Sequence, residues 1–471
     1  MVTSQSPSLK GRTKRGDCYR KGCKILQKKE HMNILFISLG CDKNLVDSEV
    51  MLGLLASRGY QMIDEEGKAD IIVVNTCCFI NDAKEESVNT ILEMAEYKKN
   101  GRLKALIVTG CLAQRYQQEI LDEIPEVDAV LGTTSYDKIL EAVDDALAGS
   151  QDLILRDINE TPETDAGRLI TTGGHYAYLK IAEGCDKHCT YCVIPKVRGN
   201  YRSVPMEQLI KEAEGLAEQG VKELILVAQE TTVYGKDLYG EKSLPKLLRR
   251  LCKIAGLRWI RLLYCYPEEI TDELIQVMKE EPKICHYLDL PIQHSNDDIL
   301  RRMGRRTTGQ HLREIVEKLR REIPDIALRT TLITGFPGET EEQHEELMAF
   351  VDEMEFDRLG VFPYSPEEGT PAAGMPDQIE DSVKEERRLE LMELQQEIAF
   401  DMADRMKGKE MLVMIEGKVA DENAYVGRTY RDAPNVDGLI FVNTEEELMS
   451  GDFAKVKVTG AVDYDLIGGL M

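Results

Sequence analysis

The sequence predicts an α/β protein built from three consecutive domains: a parallel sheet covered by helices, an open partial (βα)6 TIM-type barrel, and a small antiparallel β-barrel. Three observations lead to this fold class. Apolar runs alternate with helical stretches from Asn33 to about Gly149, six further apolar runs follow residue 170, and short alternating runs with glycine turns occupy residues 408–471. A chain of 471 residues also suits about three domains.

The strands of the first domain run directly into cysteines. ILFISLGC ends at Cys41, DIIVVNTC at Cys77 and ALIVTGC at Cys111, and AVLGTT around Val130 adds a fourth strand. In open α/β sheets ligands lie outside the carboxyl ends of the strands, so this topology places the three thiols at one edge. Three thiolates can hold three irons of a [4Fe–4S] cluster and leave the fourth iron open, which predicts a first cluster here.

Cys78 directly follows Cys77 and offers a second thiol at the same strand end. Adjacent side chains of a strand point to opposite faces, so we do not expect both thiols to bind iron. The pattern favours Cys77 as the ligand and leaves Cys78 as the alternative.

A polar stretch, residues 149–168, predicts a linker between the first and second domains. Six strand-like runs separated by helices follow: HYAYLKIAEG, ELILVAQE, WIRLLYCYP, HYLDLPIQ, ALRTTLITGF and FDRLGVFPYS. Six units fall short of the eight of a closed barrel, so the barrel is expected to be open, with its chemistry at the C-terminal ends of the strands. Thr340 with Gln343 predicts a capping box at the start of a helix.

A second cysteine triplet, C-x3-C-x2-C, follows the first barrel strand and consists of Cys185, Cys189 and Cys192. Zinc sites usually need four ligands, whereas three cysteines suit a [4Fe–4S] cluster with one open iron. That iron can chelate the amino and carboxylate groups of S-adenosylmethionine (SAM), whose sulfonium an electron from the cluster then cleaves. The triplet therefore predicts a second cluster and SAM as a cofactor.

Several residues near the predicted strand ends are candidates for binding SAM. Tyr191 lies between two cysteines and is expected near the adenine, although simple packing explains it nearly as well. Arg329 suits the SAM carboxylate because a guanidinium can pair with it through two hydrogen bonds. The full candidate set is Tyr191, Gln229, Glu230, Thr231 and Arg329. No side chain is predicted to act as an acid, base or nucleophile.

The C-terminal part begins with a charged helix from Asp377 to about Lys407 and continues with the runs GKEMLVMIEG, YVGRTY, GLIFVN and AKVKVTGAVDYDLIG. Alternation and glycine turns predict a small antiparallel barrel. Such barrels often bind RNA, but residues 407–471 contain seven Lys/Arg against twelve Asp/Glu. An acidic surface repels the phosphate backbone, so this composition disfavours an RNA-binding face.

The net charge is −25, although residues 1–31 alone carry nine Lys/Arg against two acids, or +7, which leaves −32 for the remainder. Such an acidic body suits a basic partner. Residues 1–31 are predicted to be a basic disordered extension in which Cys18 and Cys23 are inert. The sequence has no apolar run long enough to cross a bilayer and no signal peptide. Twelve cysteines in a long chain suit a reducing compartment. We therefore expect a soluble cytoplasmic protein.

The motifs LGCDKNLVDSEVM, EGCDKHCTYCVIPKVRG, LVAQETTVYG, LDLPIQHSN, TTLITGFPGET and FPYSPEEGTPA are long and collinear. They resemble the radical SAM methylthiotransferases, in particular the RimO type, from Met32 to Met471. By this resemblance, residues 32–149 are expected to form a flavodoxin-like methylthiotransferase domain and residues 150–170 a linker. Residues 171–403 are expected to form the radical SAM core and residues 404–471 a TRAM domain.

The resemblance also implies the reaction. Enzymes of this type add a methylthio group to the β-carbon of an aspartate in ribosomal protein S-twelve. Cys41, Cys77 and Cys111 match the ligands of the auxiliary cluster, and Cys185, Cys189 and Cys192 match those of the radical cluster. One SAM would methylate sulfur on the auxiliary cluster, and a second would yield the 5′-deoxyadenosyl radical that takes the substrate hydrogen. A flavodoxin or ferredoxin is the expected electron donor, and a monomer the expected state.

Two other functions are consistent with parts of the pattern. A tRNA adenosine 2-methylthiotransferase would share every cluster motif but is expected to have a basic TRAM face, which the acidic C-terminal segment disfavours. A non-catalytic ribosome-binding or iron-sensing module would be expected to lack cysteines or SAM-site residues, and the sequence has both sets.

Overall fold

The computed structural model describes residues 32–162, 167–420 and 422–471. The predicted basic extension, residues 1–31 with Cys18 and Cys23, lies outside the described residues. In the described parts of the chain, every helix is too short or too polar to cross a membrane.

The first domain is a six-stranded parallel sheet in the order β2-β1-β3-β4-β5-β6. Its central strands β3 (Ile71–Thr76) and β4 (Ala105–Gly110) are buried along their whole length, as the continuous apolar runs predict for parallel strands covered on both faces. The other strands are β1 (Asn33–Ser38), β2 (Gln61–Ile63), β5 (Ala129–Leu131) and β6 (Asp152–Ile154), and the helices are α1 (Asp42–Ser57), α2 (Asn81–Asn100), α3 (Cys111–Tyr116), α4 (Gln118–Glu123) and α5 (Ile139–Leu147).

The linker prediction is wrong at its beginning, because β6 lies inside residues 149–168 and completes the first sheet. Ala129, Val130 and Leu131 of β5 pair with Asp152, Leu153 and Ile154. A three-residue edge strand flanked by polar residues gives almost no periodic signal, and only its neighbour in the sheet stabilises it. The short edge strand β2 was missed for the same reason.

The second domain is an open six-stranded parallel sheet in the order β14-β13-β12-β11-β10-β7. All six predicted strands and the partial barrel are confirmed. The strands are β7 (Tyr176–Lys180), the short antiparallel pair β8 (Ala182–Glu183) and β9 (Arg202–Ser203), β10 (Glu223–Val227), β11 (Trp259–Leu262), β12 (Ile284–Gln293), β13 (Ala327–Thr334) and β14 (Arg358–Pro363).

Helices cover the outer face of this sheet and connect its strands. They are α6 (Ile194–Arg198), α7 (Met206–Glu218), α8 (Lys236–Tyr239), α9 (Leu244–Leu251), α10 (Asp272–Glu280), α11 (Asp297–Arg302), α12 (Gly309–Glu322) and α13 (Glu341–Met354). The capping box predicted from Thr340 and Gln343 is present at the start of α13. Leucine, isoleucine and valine side chains from helices and strands together form the largest apolar core of the protein.

The C-terminal part consists of a long helix and a closed five-stranded barrel in the order β15-β16-β17-β19-β18, which confirms the predicted barrel. Its elements are α14 (Asp381–Asp404), β15 (Glu410–Lys418), β16 (Ala424–Thr429), β17 (Ile440–Asn443), β18 (Phe453–Val462) and β19 (Asp465–Leu470). The last predicted run divides into the hairpin β18–β19, whose turn includes Asp463 with a left-handed φ of 53°.

Buried ion pairs fix the small barrel against the beginnings of the central strands. Arg428 donates to Glu223 at the start of β10 over 2.7 Å, and Arg261 donates to the same carboxylate over 2.7 Å. Arg261 also donates to the Tyr430 carbonyl over 2.6 Å, and Tyr287 donates to Asp437 over 2.7 Å. The small barrel thus covers the N-terminal end of the sheet, and the C-terminal ends of the strands remain for the site.

Candidate functional site

The first cysteine triplet lies at the carboxyl edge of the first sheet. Cys41 is the residue before α1, Cys77 directly follows β3, and Cys111 begins α3 directly after β4. Gly40 has a φ of +91°, and a Cβ placed on it would lie 2.8 Å from the Cys77 Cβ. Burial raises the pKa of the Cys111 thiol, Arg198 lowers it, and the neighbouring thiols of Cys78, Cys77 and Cys41 raise it further. The structure therefore brings the three predicted thiols together.

Cys78 is fully buried and belongs to an apolar cluster of the first domain that also includes Cys111. Burial raises the pKa of Cys78 to about 11. The backbone of Cys77 is fixed by Ser87, whose Oγ accepts from the Cys77 amide over 3.0 Å. Cys77 stays the predicted iron ligand and Cys78 the alternative.

The second triplet lies on the loop that connects β8 to α6. The Cys185 amide donates to the Gly199 carbonyl over 3.1 Å, and the Cys192 amide donates to the Cys189 carbonyl over 3.1 Å. Burial raises the pKa of Cys185 to about 12 and raises that of Cys192 as well. Thiols in such surroundings stay protonated until a metal takes the place of the proton, which suits a ligand set whose charge is balanced by iron.

Both triplets suit a multinuclear cluster by their donor chemistry. In the described part of the chain, no three His, Cys, Asp or Glu side chains surround the position of a single metal ion. Each thiolate of a cubane cluster binds a different iron, so a cluster does not require such a position.

Buried charged side chains surround the second triplet. Lys187 forms an ion pair with Glu269 and lies 3.7 Å from the Glu230 carboxylate. The Tyr266 hydroxyl lies 3.7 Å from the Cys189 sulfur, and the Arg305 guanidinium lies 4.1 Å from the centre of the Tyr266 ring. A polar and charged pocket therefore adjoins the predicted cluster position.

This pocket contains buried polar atoms that have no hydrogen-bond partner within the described residues. They are Gln229 Oε1, Glu230 Oε2, Glu268 Oε2, and Nε and Nη1 of Arg305. An unpaired buried polar atom is costly, and native structures leave few of them. Both donors and acceptors are free here, so the pocket fits a ligand that carries an ammonium, a carboxylate and hydroxyl groups, as SAM does.

Four of the five predicted SAM contacts lie in or beside this pocket. Gln229 donates to Glu183 over 2.7 Å, and Glu230 is buried, which raises its pKa to about 7. The Thr231 hydroxyl is already used, because it donates to the Leu263 carbonyl over 2.6 Å. Tyr191 packs edge-on against Phe336, with ring centres 6.4 Å apart. Gln229 and Glu230 each keep a buried polar atom without a hydrogen-bond partner among the described residues.

The structure argues against the predicted contact of Arg329 with SAM. Its guanidinium donates to Asp289 over 2.9 Å and lies 3.4 Å from Asp437 of the small barrel. Arg329 is the third residue of β13 and lines a cavity of about 380 Å³ at the boundary with that barrel. An arginine suits a carboxylate partner, but the carboxylates that Arg329 contacts are those of Asp289 and Asp437.

Arg305 was missed by sequence reasoning, although it is the buried guanidinium next to Cys189 and Tyr266. It follows α11 in the run RRMGRR, where several arginines occur together and the spacing does not distinguish one from another. Arg305 Nη2 donates to the Pro291 carbonyl over 2.8 Å, while the Thr190 amide donates to the Met303 carbonyl over 2.9 Å. Only the fold shows that this loop packs against the cysteine loop.

A cavity of about 210 Å³ lies between the first domain and the barrel. Phe79 and Ile80, which follow Cys77 and Cys78 in the chain, form one wall, and Tyr191, Gln293 and Phe362 of the barrel form the other. Phe79 and Phe362 remain 46% and 49% exposed. Residues that neighbour both triplets in the sequence therefore line one aromatic cavity that is open to solvent.

Family models match three parts of the chain. Residues 33–132 match the Uncharacterized protein family UPF0004, residues 179–351 match the Radical SAM superfamily, and residues 408–471 match the TRAM domain. Each match falls on a different sheet of the fold, although β6 and β14 lie outside the matched residues.

Among solved structures, the radical SAM methyltransferase TsrM from Kitasatospora setae, with tryptophan and a SAM analogue bound, is similar in fold. It superposes with a TM-score of 0.52 at 13% identity, over 81% of this chain and 78% of that chain. A likeness at this identity supports the fold alone.

The curated relatives are much closer. A protein of Lachnoclostridium phytofermentans named ribosomal protein uS12 methylthiotransferase RimO is 67% identical over 437 residues, or 93% of this chain and 99% of the relative. Proteins with the same name from Desulforamulus reducens and Clostridioides difficile are 51% and 50% identical, each over 93% of this chain and 99% of the relative. The chain therefore belongs to the RimO family of radical SAM methylthiotransferases, as its motifs predict.

Proposed function

We propose that this chain adds a methylthio group to the β-carbon of an aspartate in ribosomal protein uS12 (S-twelve), with one SAM as methyl donor and a second as radical source. The observation that carries this proposal is a pair of cysteine triplets, each beyond the carboxyl ends of a parallel sheet, whose neighbours in the sequence line a common cavity. Relatives 67% and 51% identical to this chain are named uS12 methylthiotransferases.

We assign Cys185, Cys189 and Cys192 to the radical cluster and Cys41, Cys77 and Cys111 to the auxiliary cluster. The auxiliary assignment is supported by the sheet edge that Cys41, Cys77 and Cys111 share. The radical assignment is supported by the unpaired polar atoms beside the other triplet. When bound, the two clusters and SAM supply the electron, the carbon radical and the methylthio group. An unactivated C–H bond needs such a radical, because no side-chain base can remove its proton.

The side chains around the radical cluster bind and orient SAM. The free Nε of Arg305 can donate a charge-assisted hydrogen bond to the SAM carboxylate, and we propose Arg305 in place of Arg329 for this role. The free carboxylate oxygen of Glu230 and the free amide oxygen of Gln229 can accept hydrogen bonds from the SAM ammonium or ribose hydroxyls. Tyr191 stays a predicted neighbour of the adenine.

The aromatic cavity admits the substrate aspartate from the side of Phe79 and Phe362. A protein substrate rich in Lys/Arg suits the charge of −25. A tRNA substrate is disfavoured, because residues 407–471 carry seven Lys/Arg against twelve Asp/Glu.

Other parts of the assignment are proposals as well. We propose a monomeric cytoplasmic enzyme with a flavodoxin or ferredoxin as electron donor. The division into residues 32–149, 150–170, 171–403 and 404–471 stays a prediction, with β6 now assigned to the first sheet.

Mass spectrometry of purified uS12 tests the proposed substrate. The anaerobically reconstituted enzyme is incubated with uS12, SAM, a sulfide source and reductant, and with bulk tRNA in a parallel reaction. We expect one methylthio group in place of hydrogen on an aspartate of uS12, and unmodified tRNA. Methylthiolated adenosine with unmodified uS12 would instead establish the tRNA activity.

A further inference from the structure

Arg198 is a fully buried arginine of the radical SAM core that contacts a cysteine of the first domain. It is the last residue of α6 and is 2% exposed. Its Nε lies 3.3 Å from Cys111 Sγ, and its Nη2 donates to Asn44 Oδ1. Its Nη1 donates to Asp47 Oδ2 over 2.7 Å and to Glu183 Oε2 over 3.2 Å. The guanidinium therefore uses all three nitrogens, and one of them points at a proposed iron ligand.

The charges that surround this guanidinium balance one another. Lys180 pairs with Asp47 and donates to Glu183 over 2.7 Å, so two cations face two carboxylates. Gln229 donates to the other oxygen of Glu183 over 2.7 Å. The four charges sum to zero, but the Arg198 guanidinium lies against Cys111 Sγ, so both its charge and its directed N–H act on that sulfur. The network also joins the Cys111 site to the C-terminal end of β10.

Hydrogen bonds to cluster sulfur atoms raise the reduction potential, because the reduced cluster carries more negative charge and gains more from the donor. A charged donor forms a stronger bond than a neutral one, and burial strengthens it further. We propose that Arg198 is a positioning residue that donates a hydrogen bond to the Cys111 thiolate and thereby raises the reduction potential of the auxiliary cluster. This inference rests on the proposed assignment of Cys41, Cys77 and Cys111.

A purely structural role would make Arg198 one more ion pair between the domains. Arg168 already has such a role, because it donates to Glu49 of α1 over 2.6 Å and pairs with Glu212 of α7. Its side chain is 6% exposed, and its side-chain hydrogen bonds go to Glu49, Glu212 and the Tyr178 carbonyl. Arg168 is therefore a matched control that is buried, paired with two carboxylates and not bonded to a sulfur.

The test is a redox titration of the auxiliary cluster alone. Cys185, Cys189 and Cys192 are replaced by alanine in every protein, so that only one cluster remains, and its reduced form is followed by electron paramagnetic resonance. Arg198→Lys keeps the charge but removes the Nε donor, and we expect a lower midpoint potential. Arg168→Lys is expected to leave the potential unchanged. An unchanged potential in Arg198→Lys, or an equal decrease in both variants, would overturn the proposal.

A second measurement needs no substitution of Arg198. The same cysteine background is labelled with ¹⁵N-arginine, and the reduced cluster is examined by pulsed electron paramagnetic resonance. We expect a ¹⁵N hyperfine coupling that Arg168→Lys retains, and its absence would overturn the proposal. If the background protein binds no iron at all, the ligand assignment itself fails and the Arg198 proposal fails with it. Iron and sulfide counts separate these cases.

Discussion

Gly40 and Cys77 are in such close contact that a Cβ at residue 40 would lie 2.8 Å from the Cys77 Cβ and 3.1 Å from its sulfur. Gly40 also has a left-handed φ of +91°. Any side chain at this position must push the Cys41 loop away from β3, and the two thiols would separate. The first triplet therefore depends on a glycine as well as on its cysteines.

Gly40→Ala is expected to lose the auxiliary cluster while the radical cluster remains. The strained backbone alone costs about 1–2 kcal/mol, and the contact with Cys77 adds to it. Iron and sulfide counts after reconstitution should fall to about half. Gly59→Ala is the control, because Gly59 has a φ of +86° but no atom within 4 Å of the added Cβ. A full complement of iron in Gly40→Ala would contradict this account.

Arg305→Lys is expected to weaken SAM binding about 10- to 100-fold, because a hydrogen bond between charged groups contributes about 1.5–3 kcal/mol. Equilibrium binding of SAM to the reconstituted enzyme measures this. Arg329→Lys serves as the comparison, and its SAM affinity should stay within about twofold, since Asp289 and Asp437 already engage that side chain. The opposite ranking would restore Arg329 as the carboxylate partner.

Phe79→Ala is expected to raise the KM for uS12 several-fold, because the ring forms an exposed wall of the cavity through which the substrate enters. SAM cleavage without substrate should be unchanged. Met449→Ala removes a more exposed apolar side chain (73% against 46% for Phe79) in the C-terminal domain and should leave the KM as it is. An unaltered KM in Phe79→Ala would place the substrate path elsewhere.

His294 makes the stability of the fold depend on pH. Burial, together with the charges of His344 and Arg387, lowers its pKa from 6.5 to about 3, and Glu339 lies 3.7 Å from its Nε2. The folded state binds the proton less tightly than the unfolded state, so stability is complete above about pH 6.5 and decreases as the pH falls toward 3. Between about pH 7 and pH 5, the free energy of unfolding measured by chemical denaturation should decrease by about 2 kcal/mol less in His294→Gln than in the parent protein. Parallel curves for the two proteins would contradict this.

Much of the architecture follows from patterns that the sequence displays. The strands β3 and β4 are continuous apolar runs, and the rule that ligands meet the carboxyl ends of parallel strands correctly brought Cys77 and Cys111 together. The edge strand β6 was not predicted, because three residues are too few to show an alternation of apolar and polar side chains. Arg305 escaped because only the packing of its loop on the cysteine loop separates it from the neighbouring arginines.

Arg329, in contrast, was predicted to contact SAM, whereas in the structure it pairs with carboxylates of the protein. Its residue type and its strand were read correctly, but the sequence does not reveal that Asp437, more than a hundred residues later, would approach its guanidinium. Arg198 shows the same limit, because its contact with Cys111 joins two domains. Contacts between domains depend on the docking of separate sheets, which local periodicity does not encode.

The central claim is that two clusters, each bound by one cysteine triplet, divide the reaction between them. One assay measures both parts at once: 5′-deoxyadenosine released from SAM and the mass of uS12, with Cys41→Ala and Cys189→Ala compared to the parent enzyme. We predict that Cys41→Ala still cleaves SAM but leaves uS12 without a methylthio group, whereas Cys189→Ala does neither. Equal loss of SAM cleavage in both variants would contradict the division of function.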